Sequence, residues 1–220
     1  MKRLTLAVSF AFLMLMALTP APHAQAAEKK AVAGTAPTMS ATDLRNGMRK
    51  LWLDHTGYTR NFVVSAVAGL PDLTTVTQRL LRNQDDIGNA IKPIYGEEAG
   101  KKLSALLRDH ILIAADITKA AKASDTKAVE AGQKKWRANA DDISAFLAAA
   151  NPNWKKPMLT DHMYKHLDFV TAQVVARIKA DWPADIQAYD AGNEHMLMFA
   201  DVLSDGIIKQ NPKKVIISER

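Results

Sequence analysis

Five histidines, His55, His110, His162, His166 and His195, fall beyond the first 26 residues of this chain, each inside a stretch of mixed apolar and polar residues. Imidazole is the commonest nitrogen ligand of zinc, copper and iron, so a set of histidines facing one interior would suit one of those ions. His162 and His166 stand four apart, on one face of any helix that carries them. His55, His110 and His195 would add nitrogen from neighbouring segments. Asp86 and Asp142 would supply carboxylate oxygen or orient the rings from behind. Asn83, Asn139 and Asn193 complete a candidate polar set able to bind a small polar ligand. Met163, Met196 and Met198 lie close to histidines in sequence and are read as core filling, with a soft cuprous site as the alternative.

Other chemistries lack their residues. "HMYKH" has no glutamate after its first histidine, which removes zincin-type proteolysis. No glutamate stands three residues before any histidine, so the di-iron carboxylate signature of ferritin-like bundles is missing. No glycine-rich phosphate loop occurs. With no cysteine, the chain has no disulfides, thiolate metal sites, iron–sulfur clusters or thiol nucleophile. The formal charge of +6 is spread among acids rather than gathered in a basic stripe, so nucleic acid is not an expected partner.

The segments that must position these residues read as helices. Lys2 and Arg3 precede an apolar run, Leu4–Leu18, and Ala24-Gln25-Ala26 fits a signal-peptidase site. Residues 1–26 are therefore expected to be a signal peptide, which leaves no membrane span after cleavage and a periplasmic or secreted protein. Residues 27–39 would form a flexible leader, 40–212 a helical bundle domain and 213–220 a C-terminal tail.

Six helices are predicted within the bundle. The first runs from Ser40 or Asp43 to Gly69, and the second from Pro71 or Asp72 to Pro93–Gly96. The third spans about Glu97 to Ala123, and the fourth follows "SDTK" to Asn151. The fifth begins at Thr160 or Asp161, and the sixth covers Pro183 to Gln210. "KVIIS" is strand-like but too short and isolated to make a sheet.

Apolar residues recur at helical spacing, with stripes such as Leu44–Met48–Leu51–His55–Tyr58–Phe62 and Ile186–Tyr189–Asn193–Leu197. Odd helices carry a histidine on the stripe and even helices an asparagine. "LDHTG", "RDHIL" and "TDHMY" alternate with "NQDDI", "NADDI" and "NEHML", as if an αα-hairpin were used three times. A rival register pairs "RDHILIAADI" with "NEHMLMFADV", but it covers less of the chain. Antiparallel helices place residues equally far from their turn at one depth, because each rises ~1.5 Å per residue. The midpoints of 55/83, 83/110, 110/139, 139/166 and 166/195 all fall at expected turns. The predicted fold is an all-α, six-helix up-and-down bundle built from three repeated αα-hairpins around one polar layer.

"LWLDHTGYTR", "RLLRNQDDIGNAIKPIYG", "NADDISAFLAAANPNW" and "DVLSDGIIKQNP" together resemble a family of small exported helical bacterial proteins. Its members sometimes carry glycosyltransferase or acetylglutamate kinase labels. Those reactions need an α/β domain and nucleotide-binding loops, which this chain lacks. The resemblance implies an exported helical protein and assigns no reaction.

Three functional classes follow. The first is a non-catalytic binding protein holding a transition metal (zinc, copper or iron) or a small polar ligand in the layer. The second is a structural or interaction protein of the cell envelope, in which the layer only fixes helix packing. A hydrolytic metalloenzyme comes third, requiring water at an open metal position.

Overall fold

The computed structural model describes residues 39–216, so the expected signal peptide, most of the expected leader and the last four residues lie outside the described residues. The protein is an all-α helical bundle. Its helices are α1 (Ala41–Ala68), α2 (Leu73–Tyr95), α3 (Glu97–Lys122), α4 (Thr126–Ala150), α5 (Lys156–Ile178) and α6 (Trp182–Gln210). Helix α5 starts at Lys156, a turn earlier than the sequence suggests. Pro157 sits in its first turn, where a missing N–H costs nothing and the fixed φ suits a helix. Helix α2 likewise runs on through Pro93 to Tyr95.

Each helix packs on the next, and α6 packs back on α1. Cross-helix pairs reveal the directions. Tyr58 of α1 stacks under Arg79 of α2, while Leu51, two turns earlier, accepts from Asn83, four residues later. Numbers rise on one helix as they fall on its neighbour. The same holds for α1 and α6, where Arg45, Arg49 and Arg60 meet Asp205, Asp201 and Asp185. Inside this ring α1, α3 and α5 also touch one another, so the odd helices meet at the centre.

The turns explain how short connections suffice. Helices α1, α3 and α5 are each followed by a residue with left-handed backbone: Gly69 (φ 70°), Ser124 (φ 56°) and Ala180 (φ 56°). The next amide in each case donates to the carbonyl five residues back: Leu70 to Ser65, Asp125 to Ala120, Asp181 to Ala176. This wrap satisfies the carbonyls left orphaned at a helix end. Asp125 and Asp181 then cap the following helices through Ala128 N (3.0 Å) and Ala184 N (3.1 Å). Helices α2 and α3 approach closely at a glycine pair, since a Cβ on Gly88 would lie 2.5 Å from the Gly100 carbonyl oxygen.

Two expectations are corrected by packing. Val215–Ile216 is not isolated: it pairs in parallel with Met39–Ser40, two residues each, so Met39 belongs to the fold rather than to the leader. Ile186, placed on the buried stripe of the sixth helix, is 48% exposed, whereas Asp185 is 1% exposed. The stripe is rotated because Asp185 is clasped by Arg60 (2.8 Å) and Arg177 (3.3 Å). That paired geometry is what permits a carboxylate to be buried at all. Among the described residues no helix is long and apolar enough to cross a membrane.

Candidate functional site: an interior histidine layer

The odd helices bring three histidines together where they meet. His55, His110 and His166 are all buried. Ring centroids lie 5.4 Å apart for His55–His166 and 5.8 Å for His110–His166. His162 and His195 form a second, tilted pair at 5.0 Å, with His162 also 5.4 Å from the Phe199 ring. The predicted i, i+4 pair on α5 is thus divided between two groups, with His166 at the centre and His162 toward α6.

Even helices support the layer through one recurring bond. Asn83 Nδ2 donates to the Leu51 carbonyl (3.1 Å), Asn139 Nδ2 to the Leu106 carbonyl (3.1 Å), and His195 Nε2 to the His162 carbonyl (2.9 Å). Each acceptor lies four residues before a central histidine. His195 therefore occupies on α6 the place that Asn83 and Asn139 hold on α2 and α4. Asn193, the residue read from the stripe, instead accepts a 2.6 Å hydrogen bond from the Thr56 hydroxyl.

Tautomers follow from these bonds where the partner is unambiguous. Asn139 donates through its nitrogen, so its Oδ1, 2.7 Å from His110 Nδ1, accepts a proton from that ring. His110 is then the Nδ1–H tautomer with a free lone pair on Nε2, the arrangement that prepares imidazole to ligate. Gln84 Nε2 lies 3.3 Å from His55 Nδ1 but has nearer acceptors in the Leu80 carbonyl (2.8 Å) and Asn83 Oδ1 (3.1 Å). That contact therefore does not fix the tautomer of His55.

The rings are held neutral. Burial, with His110 adding repulsion, lowers the pKa of His55 to about 3 against a rise from the Asn83 hydrogen bond. Burial lowers His110 to about 4, opposed by Asn139. Burial and three neighbouring histidines push His166 well below its usual value. His162, half-buried, is lowered by desolvation and by His195. Charging any of the central three would put a cation in an apolar interior beside other imidazoles.

Small cavities adjoin the layer. One of about 20 Å³ is lined by His55, His110 and His166 together with Thr59, Trp136 and Val170 among others. That is room for one body the size of a water molecule. Three buried polar atoms on residues of this wall have no protein partner: His110 Nε2, Thr59 Oγ1 and Trp136 Nε1. A second cavity of about 10 Å³ shares Thr59, His166 and Val170 with it. A third, about 60 Å³, shares Ala114, Thr118, Trp136 and Val170 and reaches toward Val175.

The carboxylates expected in the layer are not there. Asp142 is exposed and lines a surface depression with Asp109, Asp116 and Lys135. Asp86 is half-buried and lies 3.5 Å from Arg79. In each acidic pair the other member is also engaged away from the histidines, Asp85 by Arg108 and Asp141 by the Tyr164 hydroxyl. Among the described residues no group of three or more histidines and acids stands arranged to hold a metal ion. Sequence reasoning missed Thr59 and Gln84. Thr59 was legible as the residue one turn after His55, while Gln84 required knowing how far α2 is rotated.

No family model matches this chain, and no curated protein or solved structure is detectably similar to it.

Proposed function

We propose that this is an exported, non-catalytic binding protein whose interior layer holds a transition-metal ion between His55, His110 and His166. One observation carries the reading: a pocket of about 20 Å³ lined by three neutral imidazoles, one of which leaves a buried Nε2 without a partner, beside the unpartnered Thr59 Oγ1 and Trp136 Nε1. A buried polar atom without a partner costs about 1–3 kcal/mol, so a guest that engages His110 Nε2 is favoured over leaving that nitrogen without a protein partner. Ring centres 5–6 Å apart suit imidazoles sharing one ion at ~2.0–2.1 Å per Zn–N bond. Loading turns at least one ring, since the nitrogens do not converge as they stand. Export is supported by Lys2, Arg3, the Leu4–Leu18 run and Ala24-Gln25-Ala26. The extended family resemblance supports the same compartment and no reaction.

The bundle is further proposed to be three copies of one αα-hairpin. The supporting facts are the shared carbonyl acceptor four residues before each central histidine and the left-handed residue fourteen after it. On this view the polar layer lies on a pseudo-threefold axis.

A second reading, a structural protein of the envelope, is favoured by the cross-helix bonds themselves, which fix the register of α1 with α2, α3 with α4 and α5 with α6. Elemental analysis separates the two. The mature, untagged protein from cells supplied with zinc, copper and iron is compared with a His110→Ala, His166→Ala variant. Near-stoichiometric metal lost in a folded variant supports binding. No metal in either, with the variant melting lower, leaves the layer as a packing device.

A further inference from the structure

We propose that the metal-free protein binds a small neutral alcohol, its hydroxyl beside His110, Trp136 and Thr59 and its carbon chain in the cavity that reaches toward Val175. This guest is distinct from the metal ion and competes with it for His110 Nε2. The fold leaves three polar atoms over at this place. His110 Nε2, Trp136 Nε1 and Thr59 Oγ1 are buried without protein partners, and all three residues line the cavity of about 20 Å³ at the layer. Chemistry fixes what each can do. The indole N–H only donates, the Nδ1–H tautomer of His110 makes its Nε2 an acceptor, and the threonine hydroxyl does either. The rings of His110 and Trp136 are tilted neighbours with centroids 5.1 Å apart.

A guest that serves all three atoms must donate and accept at one small group. An alkylammonium only donates and a carboxylate only accepts, and either would bury a charge. A hydroxyl accepts twice and donates once, so it takes hydrogen bonds from Trp136 and Thr59 and gives one to His110. Its remaining direction is carbon, and an apolar space adjoins. The cavity of about 60 Å³ shares Ala114, Thr118, Trp136 and Val170 with the polar one. Polar side chains on its wall are already engaged: Thr118 donates to the Ala114 carbonyl (2.8 Å) and Gln133 to the Thr171 hydroxyl (3.1 Å). Val175, 41% exposed, marks its outer end. An apolar cavity of about 150 Å³ takes the six carbons of benzene, so this one takes about two or three. A polar end with an apolar arm is the general plan of small-molecule sites. Water would meet the same three polar atoms, and the carbon chain is what tells the two occupants apart.

The test uses the untagged full chain, freed of metal with a chelator. n-Propanol is titrated while indole N–H signals are followed by proton–nitrogen NMR, the Trp136 signal being assigned by its loss in Trp136→Phe. Methanol, ethanol, n-butanol and n-hexanol complete the series, and n-propyl chloride, propylammonium and propanoate serve as controls. The expected result is a saturable shift of the Trp136 signal with a Kd on the order of 1 mM. Affinity should rise about four-fold per carbon from methanol to n-propanol and level off beyond it, where the chain leaves past Val175. n-Propyl chloride should bind about ten-fold more weakly than n-propanol, and the two ions should not bind. Ala114→Leu, which narrows both cavities, should abolish binding; if that variant does not fold, the series on the parent decides.

A Trp136 signal that no alcohol moves would overturn the proposal and leave water as the occupant. So would an affinity independent of chain length, or n-propyl chloride binding as tightly as n-propanol. Undiminished binding in a folded Ala114→Leu would put the alcohol elsewhere and overturn the site. None of these outcomes bears on the metal ion, whose presence elemental analysis decides.

Discussion

The two sides of the histidine layer are built on different terms. Toward the end where α1 begins, the core is continuous and apolar. Trp52, Ile87, Leu107, Ile143, Phe199, Leu203 and Trp154 surround a void of about 20 Å³ with no polar lining. Toward the left-handed turns, that core thins to residues such as Ile117, Trp136 and Val170, beside a separate small cluster of Phe62, Val63, Leu80, Ile111 and Val174. Polar groups replace the missing apolar ones there: Thr59, Thr118, Gln173 and the Arg60–Asp185–Arg177 triad. Three cavities sit on that side or at its border, and Gln173 Oε1 and Arg177 Nε join the unpartnered atoms. One half carries stability through close packing. The other is loosely filled, and any guest of the layer would pass through it.

Acid should strain the boundary between these halves most. In the metal-free fold His55 and His110 titrate near 3 and 4 and His166 also stays neutral, whereas unfolded histidines protonate near 6.5. Unfolding therefore takes up protons below pH 6.5, so stability is flat above that value and falls as pH drops toward 4. Each histidine held neutral contributes a slope of about 1.4 kcal/mol per pH unit. Urea melts at pH 7.5, 6 and 5 should show a steep loss, shallower in His110→Leu. A flat profile would mean that the layer is already open to water.

Next in size are truncations within each half. Phe199→Ala should cost about 4–5 kcal/mol in a rigid setting, and Phe62→Ala about 3, because its surroundings are already loose and can relax. Equal losses by chemical denaturation would erase the contrast between the halves. Asp185→Ala, which strands two arginines each about one-fifth exposed, should cost about 3 kcal/mol and lower the melting temperature without altering metal content.

Smaller effects test the likeness of the three layer bonds. Asn83→Ala, Asn139→Ala and His195→Ala each remove one donor to an odd-helix carbonyl and should cost about 1–3 kcal/mol apiece. One neutral substitution among the three, read by thermal melts, would break the threefold picture. Arg45→Ala, at a half-exposed ion pair, should shift stability by about 0–1 kcal/mol.

How much of this was legible in the sequence varies with the physics behind each feature. The six helices were, because period and breakers are local signals. The level of the layer was too, since the midpoints of successive pairs fall on or beside Gly69, Gly96, Ser124 and Ala180, where the backbone turns left-handed. Rotation about each helix axis was harder. Trp52 rather than Leu51 fills the core, His195 rather than Asn193 completes the layer, and Asp86 and Asp142 point away from it. An error of one residue is about 100° around a helix, and only the neighbours decide it. Burial of Asp185 was invisible because its partners come from two other segments. The pairing of Val215 with Met39 joins residues that share no local signal at all.

That last contact joins the strand before α1 to the strand after α6. Met39 N donates to the Lys214 carbonyl at 2.9 Å, so the two ends of the bundle, as far as it is described, meet at one spot. A short glycine–serine linker from residue 216 to residue 39 would make the circuit continuous. The bundle could then be cut afresh at any left-handed turn, and a circular permutant opened at Gly69 or Ser124 should refold to the same arrangement of helices. For such a molecule the order of synthesis is incidental, and the ring of helices is the unit that folds.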